Sequence, residues 1–371
     1  MMLFFNRDTL TRIPLEAPLL LLPSRYLGDT LLSIPLVVSL RERYPNTPFY
    51  IAVEPQTKPL WACYATSLKL ILVDLPRGKG MKGLWQQATI LKTTAGGRPY
   101  GAVLALKRSF SSALLARLLP AAYRVGFSSQ GRSWLLHNTI PYPTEGHELH
   151  RLHQLIQLFE PSNHPSPTSP VLSLYAPEWS QNNPLLPLYD TLQTKQPLWS
   201  IQPFTSNSRK DWQADALRTW LKQALTSHPT HHFMLLGSQQ DATRLSALVA
   251  SLSLPPSQQS RVILSAGTLS LEETWYTIAQ SERFIGADSV GLHMAASVGT
   301  PCTALFGPSD ESQWYPYPYT RFSTSSHVAP QYTAHTILTT HRQQAQACKL
   351  KKTCACLTRA KGHCMAFTTL E

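Results

Sequence analysis

Residues 283–306 constrain the fold more tightly than any other stretch. Arg283, Phe284 and Ile285 open a run that reads as a strand. Asp288 and Ser289 follow, and both are preferred helix N-caps because their oxygens accept orphan backbone N–H groups. Leu292, Ala295, Ala296 and Val298 then recur at helical spacing. Gly299 and Pro301 stop that helix, and residues 302–306 read as the next buried strand. A strand, a capped short helix and a strand make a βαβ unit, which belongs in a parallel sheet. Such a helix start offers N–H donors and a partial positive charge that suit a phosphate. The same residues also make a well-capped βαβ unit that binds nothing.

The rhythm recurs along the chain. Residues 17–22 read as a first buried strand, 23–30 as a loop, and 31–44 as a helix with Pro35 kinking it or sitting in its first turn. Residues 49–53, 70–73 and 102–106 read as further strands. In parallel sheets, ligands bind beyond the carboxyl ends of the strands. The loop holding Arg25 and Asp29 sits at such an end, which places both for function; a plain helix cap is the competing reading for Asp29. Residues 160–197 carry eight prolines (161, 165, 167, 170, 177, 184, 187 and 197) among Ser, Asn and Gln, and read as an interdomain linker. Within it, 170–175 is apolar enough for one more strand. Beyond it come a strand at 198–202, a loop at 203–211 with Ser206, Ser208, Arg209 and Lys210, an amphipathic helix at 212–225, strands at 233–236 and 262–264, and a helix at 269–280. A chain of 371 residues is long for one core, so two domains are expected. Their bounds are 1–175 and 198–340, with a Pro-rich linker at 176–197 and a Cys-rich tail at 341–371.

The formal net charge of +12 favours anionic partners. Lys107, Arg108, Arg117, Arg124 and Arg132 concentrate cations in the first half, either as a solvated face or as a receiver of an acidic substrate. Aromatic residues are not interleaved with them as a stacking platform, which argues against nucleic acid. Six cysteines in a chain this long do not make a secreted disulfide scaffold. Cys348, Cys354, Cys356 and Cys364, with His363, have the ligand types for a structural zinc, but their spacing is not that of a standard zinc knuckle. Thiols, reduced or partly disulfide-linked, are the expected state, with no metal and no cofactor. The apolar run at 17–23 is short, follows Glu16 and leads into Arg25 and Asp29, unlike a signal peptide. No stretch approaches the ~20 apolar residues of a membrane span. The expected location is cytoplasmic, with at most peripheral contact at the inner face of the inner membrane.

Four groups of residues together resemble a known family. Arg25-Tyr26-Leu27-Gly28-Asp29, Pro35 and Arg41-Glu42-Arg43-Tyr44-Pro45 form the first. Residues 109–118 with Arg124-Val125-Gly126-Phe127 and Arg132-Ser133-Trp134-Leu135-Leu136 form the second. Arg209-Lys210-Asp211-Trp212 is the third. Ser270-Leu271-Glu272-Glu273, Asp288-Ser289, His293, Gly299-Thr300-Pro301 and Gly307-Pro308-Ser309-Asp310 complete the set. In order and spacing they resemble the family-9 glycosyltransferases, the lipopolysaccharide heptosyltransferases of the Gram-negative cell envelope, and are most similar to the second heptosyltransferase type. The sequence departs from the family pattern at Val290, where glycine is usual and Gly291 comes one place later, and at Pro203-Phe204-Thr205-Ser206.

The resemblance implies a GT-B fold, two Rossmann-like domains facing a central crevice, with the acceptor on the N-terminal domain and a nucleotide sugar on the C-terminal one. It implies inverting, metal-independent transfer of heptose from ADP-heptose to the lipopolysaccharide inner core. Asp29 matches the family's catalytic base. Lys210, Ser206, Ser208 and the N–H groups at Ser289, Val290 and Gly291 are expected at the diphosphate. Asp288 would hold sugar hydroxyls or orient Lys210. Asp241 would accept from the ribose, and His293 would either bond near the donor or simply pack in its helix. Arg25, Lys107, Arg108, Arg124 and Arg132 are the expected acceptor-binding residues. A transferase using another nucleotide sugar and a non-catalytic nucleotide-sugar-binding protein are the competing readings.

Overall fold

The computed structural model describes residues 17–78, 80–129, 131–159, 174–175, 197–320, 335–339, 365 and 370. The chain divides into two compact units, residues 1–172 and 173–371. The linker residues 176–196 and the tail cysteines with His363 lie outside the described residues.

The first unit runs β1 (Leu19–Leu22), α1 (Leu27–Leu32), α2 (Ile34–Arg43), β2 (Phe49–Val53), α3 (Lys58–Ala65), β3 (Leu70–Asp74), α4 (Gly80–Thr94), β4 (Tyr100–Ala105), α5 (Phe110–Leu118), β5 (Ala121–Phe127), a 3₁₀ turn at Ser133–Leu135, β6 (Asn138–Ile140) and α6 (Glu148–His153). Its strands are parallel, in the order β3-β2-β1-β4-β5-β6. Every residue of β1 and β4 is buried, because helices cover both faces of a parallel sheet. Leu20, Leu22, Val103 and Ala105 pack against Ala88 and Leu91 of α4 and Ala113 and Ala116 of α5, so these two helices share one face. Each such leucine stabilises the fold by roughly 1.5–3 kcal/mol relative to exposure.

The second unit runs β7 (Leu174–Tyr175), β8 (Leu198–Gln202), α7 (Ala214–Ser227), β9 (His232–Leu235), α8 (Gln239–Ala250), α9 (Pro256–Gln259), β10 (Val262–Leu264), α10 (Leu271–Gln280), β11 (Arg283–Ala287), α11 (Val290–Val298), β12 (Cys302–Phe306), α12 (Glu311–Trp314), β13 (Tyr319–Thr320) and β14 (Thr336–Thr339). Six of its strands form a parallel sheet in the order β10-β9-β8-β11-β12-β14. Trp212, Leu217, Trp220, Leu221, Leu245 and Leu248 pack against Ile201, Leu235, Ile285 and Leu305. Both sheets repeat one doubly wound order. The chain reverses direction between β1 and β4 in the first and between β8 and β11 in the second, and such reversal points are where ligands bind.

The expected helix at 31–44 is two helices. Ser33 separates α1 from α2, and Pro35 sits in the first turn of α2, where its missing N–H costs no hydrogen bond. The strand expected within 170–175 is the two-residue β7, and it pairs with β13 of the second unit. Strands β5 and β6 escape the sequence reading because β5 opens with half-exposed residues and carries Arg124, which masks its apolar pattern. Among the described residues, no helix is long and apolar enough to cross a membrane.

Candidate functional site

In the first unit, β1 ends at Leu22 and the chain turns through Ser24 into α1. Tyr26 N–H donates to Ser24 Oγ at 3.2 Å, and Thr30 Oγ1 donates to the Ser24 carbonyl at 3.1 Å. Ser24 Oγ donates in turn to Asp29 Oδ2 at 2.9 Å. Tyr26, with no side-chain cap bond, occupies the N-cap position, so Asp29 lies inside the first turn and is not the cap.

Ser24 and Arg25 also line a pocket that is open to solvent. Lys107 lines it from just beyond β4, Ser111, Ser112 and Leu115 from α5, and Leu84 and Gln87 from α4. Glu54 contributes a carboxylate. The pocket lies at the reversal point of the first sheet. Arg25 is exposed, with Nη2 3.3 Å from Tyr26 Oη. Arg108 is exposed and stacks on the Tyr142 ring, 3.7 Å from its centroid. The Tyr142 hydroxyl donates to Glu148, and burial holds that phenol protonated well above its ordinary range.

The cations of this half do not form one surface. Arg124 is buried, and its guanidinium donates to the carbonyls of Ala116 at 3.0 Å and Leu119 at 2.7 Å, closing the C-terminus of α5. Arg132 is 0% exposed. It donates to the Phe127 carbonyl at 3.0 Å, the Ser109 carbonyl at 3.2 Å, Ser112 Oγ at 3.0 Å and the Lys107 carbonyl. Burial pushes its pKa down to about 10. Of the expected acceptor residues, Arg25, Lys107 and Arg108 stand at or beside the pocket, while Arg124 and Arg132 point inward. Arg132 positions the loop that presents Lys107.

In the second unit, Lys210 follows β8 and Asp288 follows β11, the two strands that flank the reversal point. Lys210 Nζ stands 2.5 Å from Asp288 Oδ2, with Asp288 only 6% exposed. The Lys210 loop is braced by Asp211, which accepts from Thr205 N–H at 2.8 Å and from Arg244 at 2.9 Å. Ser206 and Ser208 are exposed on the same loop.

Ser289 is the N-cap of α11, yet its side chain makes no cap bond. Ser289 Oγ, His293 Nδ1 one turn later, and Ser309 Oγ after β12 are buried without hydrogen-bond partners. Ser289 Oγ and His293 Nδ1, one turn apart at the start of α11, thus keep hydrogen-bonding capacity that a polar ligand can use. His293 is held neutral: burial pushes its pKa down to about 4, with Asp288 opposing and Lys210 adding to that shift. Gly291 answers a different need from phosphate approach. A Cβ there would lie 1.9 Å from Gln202 Oε1 and 2.9 Å from the Phe284 ring, so the glycine lets Gln202 lie against the first turn of α11.

Asp241 serves as the cap partner of its own helix. Its Oδ2 accepts from Ser238 N–H at 2.9 Å and Ser238 Oγ at 2.6 Å, closing the start of α8. Arg244, which lies 3.7 Å from the Phe204 ring centroid and pairs with Asp211, went unremarked in the sequence, as did Gln202. A polar residue ending a buried strand is the signal that points to Gln202.

The model of Glycosyltransferase family 9 (heptosyltransferase) matches residues 89–342. Lipopolysaccharide heptosyltransferase 3 of Escherichia coli is 24% identical over 305 residues, covering 79% of this chain and 84% of its own. The solved E. coli ADP-heptose lps heptosyltransferase II superposes with a TM-score of 0.66 at 20% identity, over 86% of this chain and 92% of its own. The structure of E. coli heptosyltransferase WaaC with ADP gives a TM-score of 0.58 at 16% identity, over 82% and 93%. At such identities the two structures speak for the fold alone, a GT-B architecture of two Rossmann-like domains.

Proposed function

The chain belongs to glycosyltransferase family 9, the heptosyltransferases, and from this premise we propose that it moves a heptose from ADP-heptose to the inner core of lipopolysaccharide. It is a glycosyltransferase; the donor, the acceptor and the course of the reaction are our reading. The observation that carries this reading is the second unit's reversal point. Lys210 is held by Asp288 there, beside a helix start with unbonded Ser289 Oγ and His293 Nδ1. A cation and uncapped N–H groups suit a diphosphate. The ADP held by one solved relative and the ADP-heptose in the name of another support the choice of donor.

In this reading the acceptor occupies the pocket beside Ser24 and Lys107. Asp29, oriented by Ser24, takes the proton from the attacking hydroxyl. The hydroxyl oxygen bonds to the anomeric carbon as the bond to the diphosphate breaks, and a single displacement inverts that carbon. The leaving diphosphate gains negative charge, which Lys210 and the N–H groups of Val290 and Gly291 stabilise without a metal. Asp288 acts by fixing Lys210, since a carboxylate cannot itself attract a phosphate. Arg25, Lys107 and Arg108 draw an acidic acceptor.

Turnover with a panel of nucleotide sugars and a lipid-free inner-core acceptor tests the assignment. Transfer from ADP-heptose, well above transfer from UDP- or GDP-linked sugars, is expected. Efficient transfer from another donor, or tight donor binding with no transfer, would replace the reading with one of its competitors.

A further inference from the structure

Between Asp74 and Glu145 the chain has no acidic residue, while positions 77, 79, 82, 92, 98, 107, 108, 117, 124 and 132 are all Lys or Arg. Much of that segment is α4 and α5, which share one core and so lie side by side on one face of the first sheet. Their outward surface is apolar as well as basic. Met81 is 55% exposed, Trp85 52%, Phe110 47% and Trp134 67%. Lys92 Nζ lies 5.9 Å from the Trp85 ring centroid, and the Phe110 and Trp134 rings stand 6.1 Å apart. Leu84 and Ser111, the chain neighbours of Trp85 and Phe110, line the pocket, so the same two helices carry both a pocket wall and these aromatic side chains.

Large exposed apolar side chains grouped together mark an interaction surface. Indole rings set among cations suit the boundary between lipid and water, where one part is buried and the other stays wet. Lys82 and Lys92 are ten residues apart on α4, about 15 Å along the helix, which is broader than one bound sugar requires. We propose that the outer face of α4 and α5, with Trp134, docks on an anionic phospholipid bilayer. Trp85, Trp134, Phe110 and Met81 enter the headgroup layer, and Lys82, Lys92 and Arg117 meet lipid phosphates. The inference rests on the sugar-transfer reading only for its purpose, which is to bring the pocket's mouth to a lipid-linked acceptor.

Sedimentation of the full chain with vesicles tests it. The protein should pellet with vesicles of equal parts phosphatidylcholine and phosphatidylglycerol, and not with phosphatidylcholine alone. Lys82→Gln with Lys92→Gln should weaken binding about 25-fold, at about fivefold per cation near a charged surface. Trp85→Ser with Trp134→Ser should weaken it at least about tenfold with charge unchanged, by loss of buried aromatic area. Both variants should keep the parent melting temperature and the parent turnover on lipid-free acceptor. Equal binding to neutral vesicles, no binding to anionic ones, binding that needs acceptor lipid in the vesicle, or variants that bind as the parent does would each overturn the proposal. Loss of lipid-free turnover in the parent with vesicle binding intact would count against the sugar-transfer reading alone.

Discussion

A lysine ammonium 2.5 Å from a carboxylate that is 6% exposed joins two strand ends that lie far apart in sequence. A buried carboxylate without its partner is costly, so the pair has a structural role. Lys210→Ala should weaken ADP-heptose affinity about 10- to 100-fold, the scale of a charge-assisted hydrogen bond, and should slow transfer with it. Calorimetry and turnover measured together check this; unchanged donor affinity in a folded variant would place the phosphate elsewhere. This pair was legible in the sequence through the family resemblance of Arg209-Lys210-Asp211-Trp212 and Asp288-Ser289. Side-chain direction was not legible. Nothing in the one-dimensional pattern says that Arg124 closes a helix, that Arg132 turns inward to three carbonyls, or that Asp241 bonds to the residue three places before it.

Among the elements, α11 shows how strand and helix fit sets the site. Gly286 on β11 and Gly291 on α11 both face Gln202 and Phe284. A Cβ at Gly291 meets the movable amide of Gln202, whereas a Cβ at Gly286 lies 3.0 Å from the Gln202 carbonyl, a strand backbone that cannot give way. Gly291→Ala should therefore cost about 1–3 kcal/mol, the usual range for overpacking, and Gly286→Ala more. Adding Gln202→Ala should recover part of the loss at Gly291 and little at Gly286, as read by denaturant unfolding. Equal recovery at both would show that the amide is not the obstacle. The βαβ unit itself was plain from caps and spacing. The break between α1 and α2 was not, because Pro35 is compatible with either a kink or a first turn. Strand β5 was hidden because its exposed opening residues and Arg124 break the apolar run expected of a buried strand.

The whole molecule holds neutral imidazoles in both units. Burial pushes His153 in the first, and His293 and His335 in the second, from 6.5 down to about 4. The unfolded chain takes up these protons first, so it binds more protons than the native state between pH 6.5 and about 4. The stability they confer is full above 6.5 and is lost as pH falls toward 4. The denaturant midpoint should fall steadily across that window, and a flat midpoint would contradict neutral burial. The doubly wound order of both sheets follows from strands alternating with helices, which is why the two-domain architecture could be read before any coordinates. In the proposed sugar transfer Asp29 is the general base. Asp29→Asn keeps the side chain's shape and its bond from Ser24 while removing basicity. The measurement is donor affinity by calorimetry beside single-turnover transfer from ADP-heptose. Donor affinity is expected within about twofold of the parent and transfer slower by ~10²-fold or more, the scale of a lost general base. Transfer within a few-fold of the parent would contradict it.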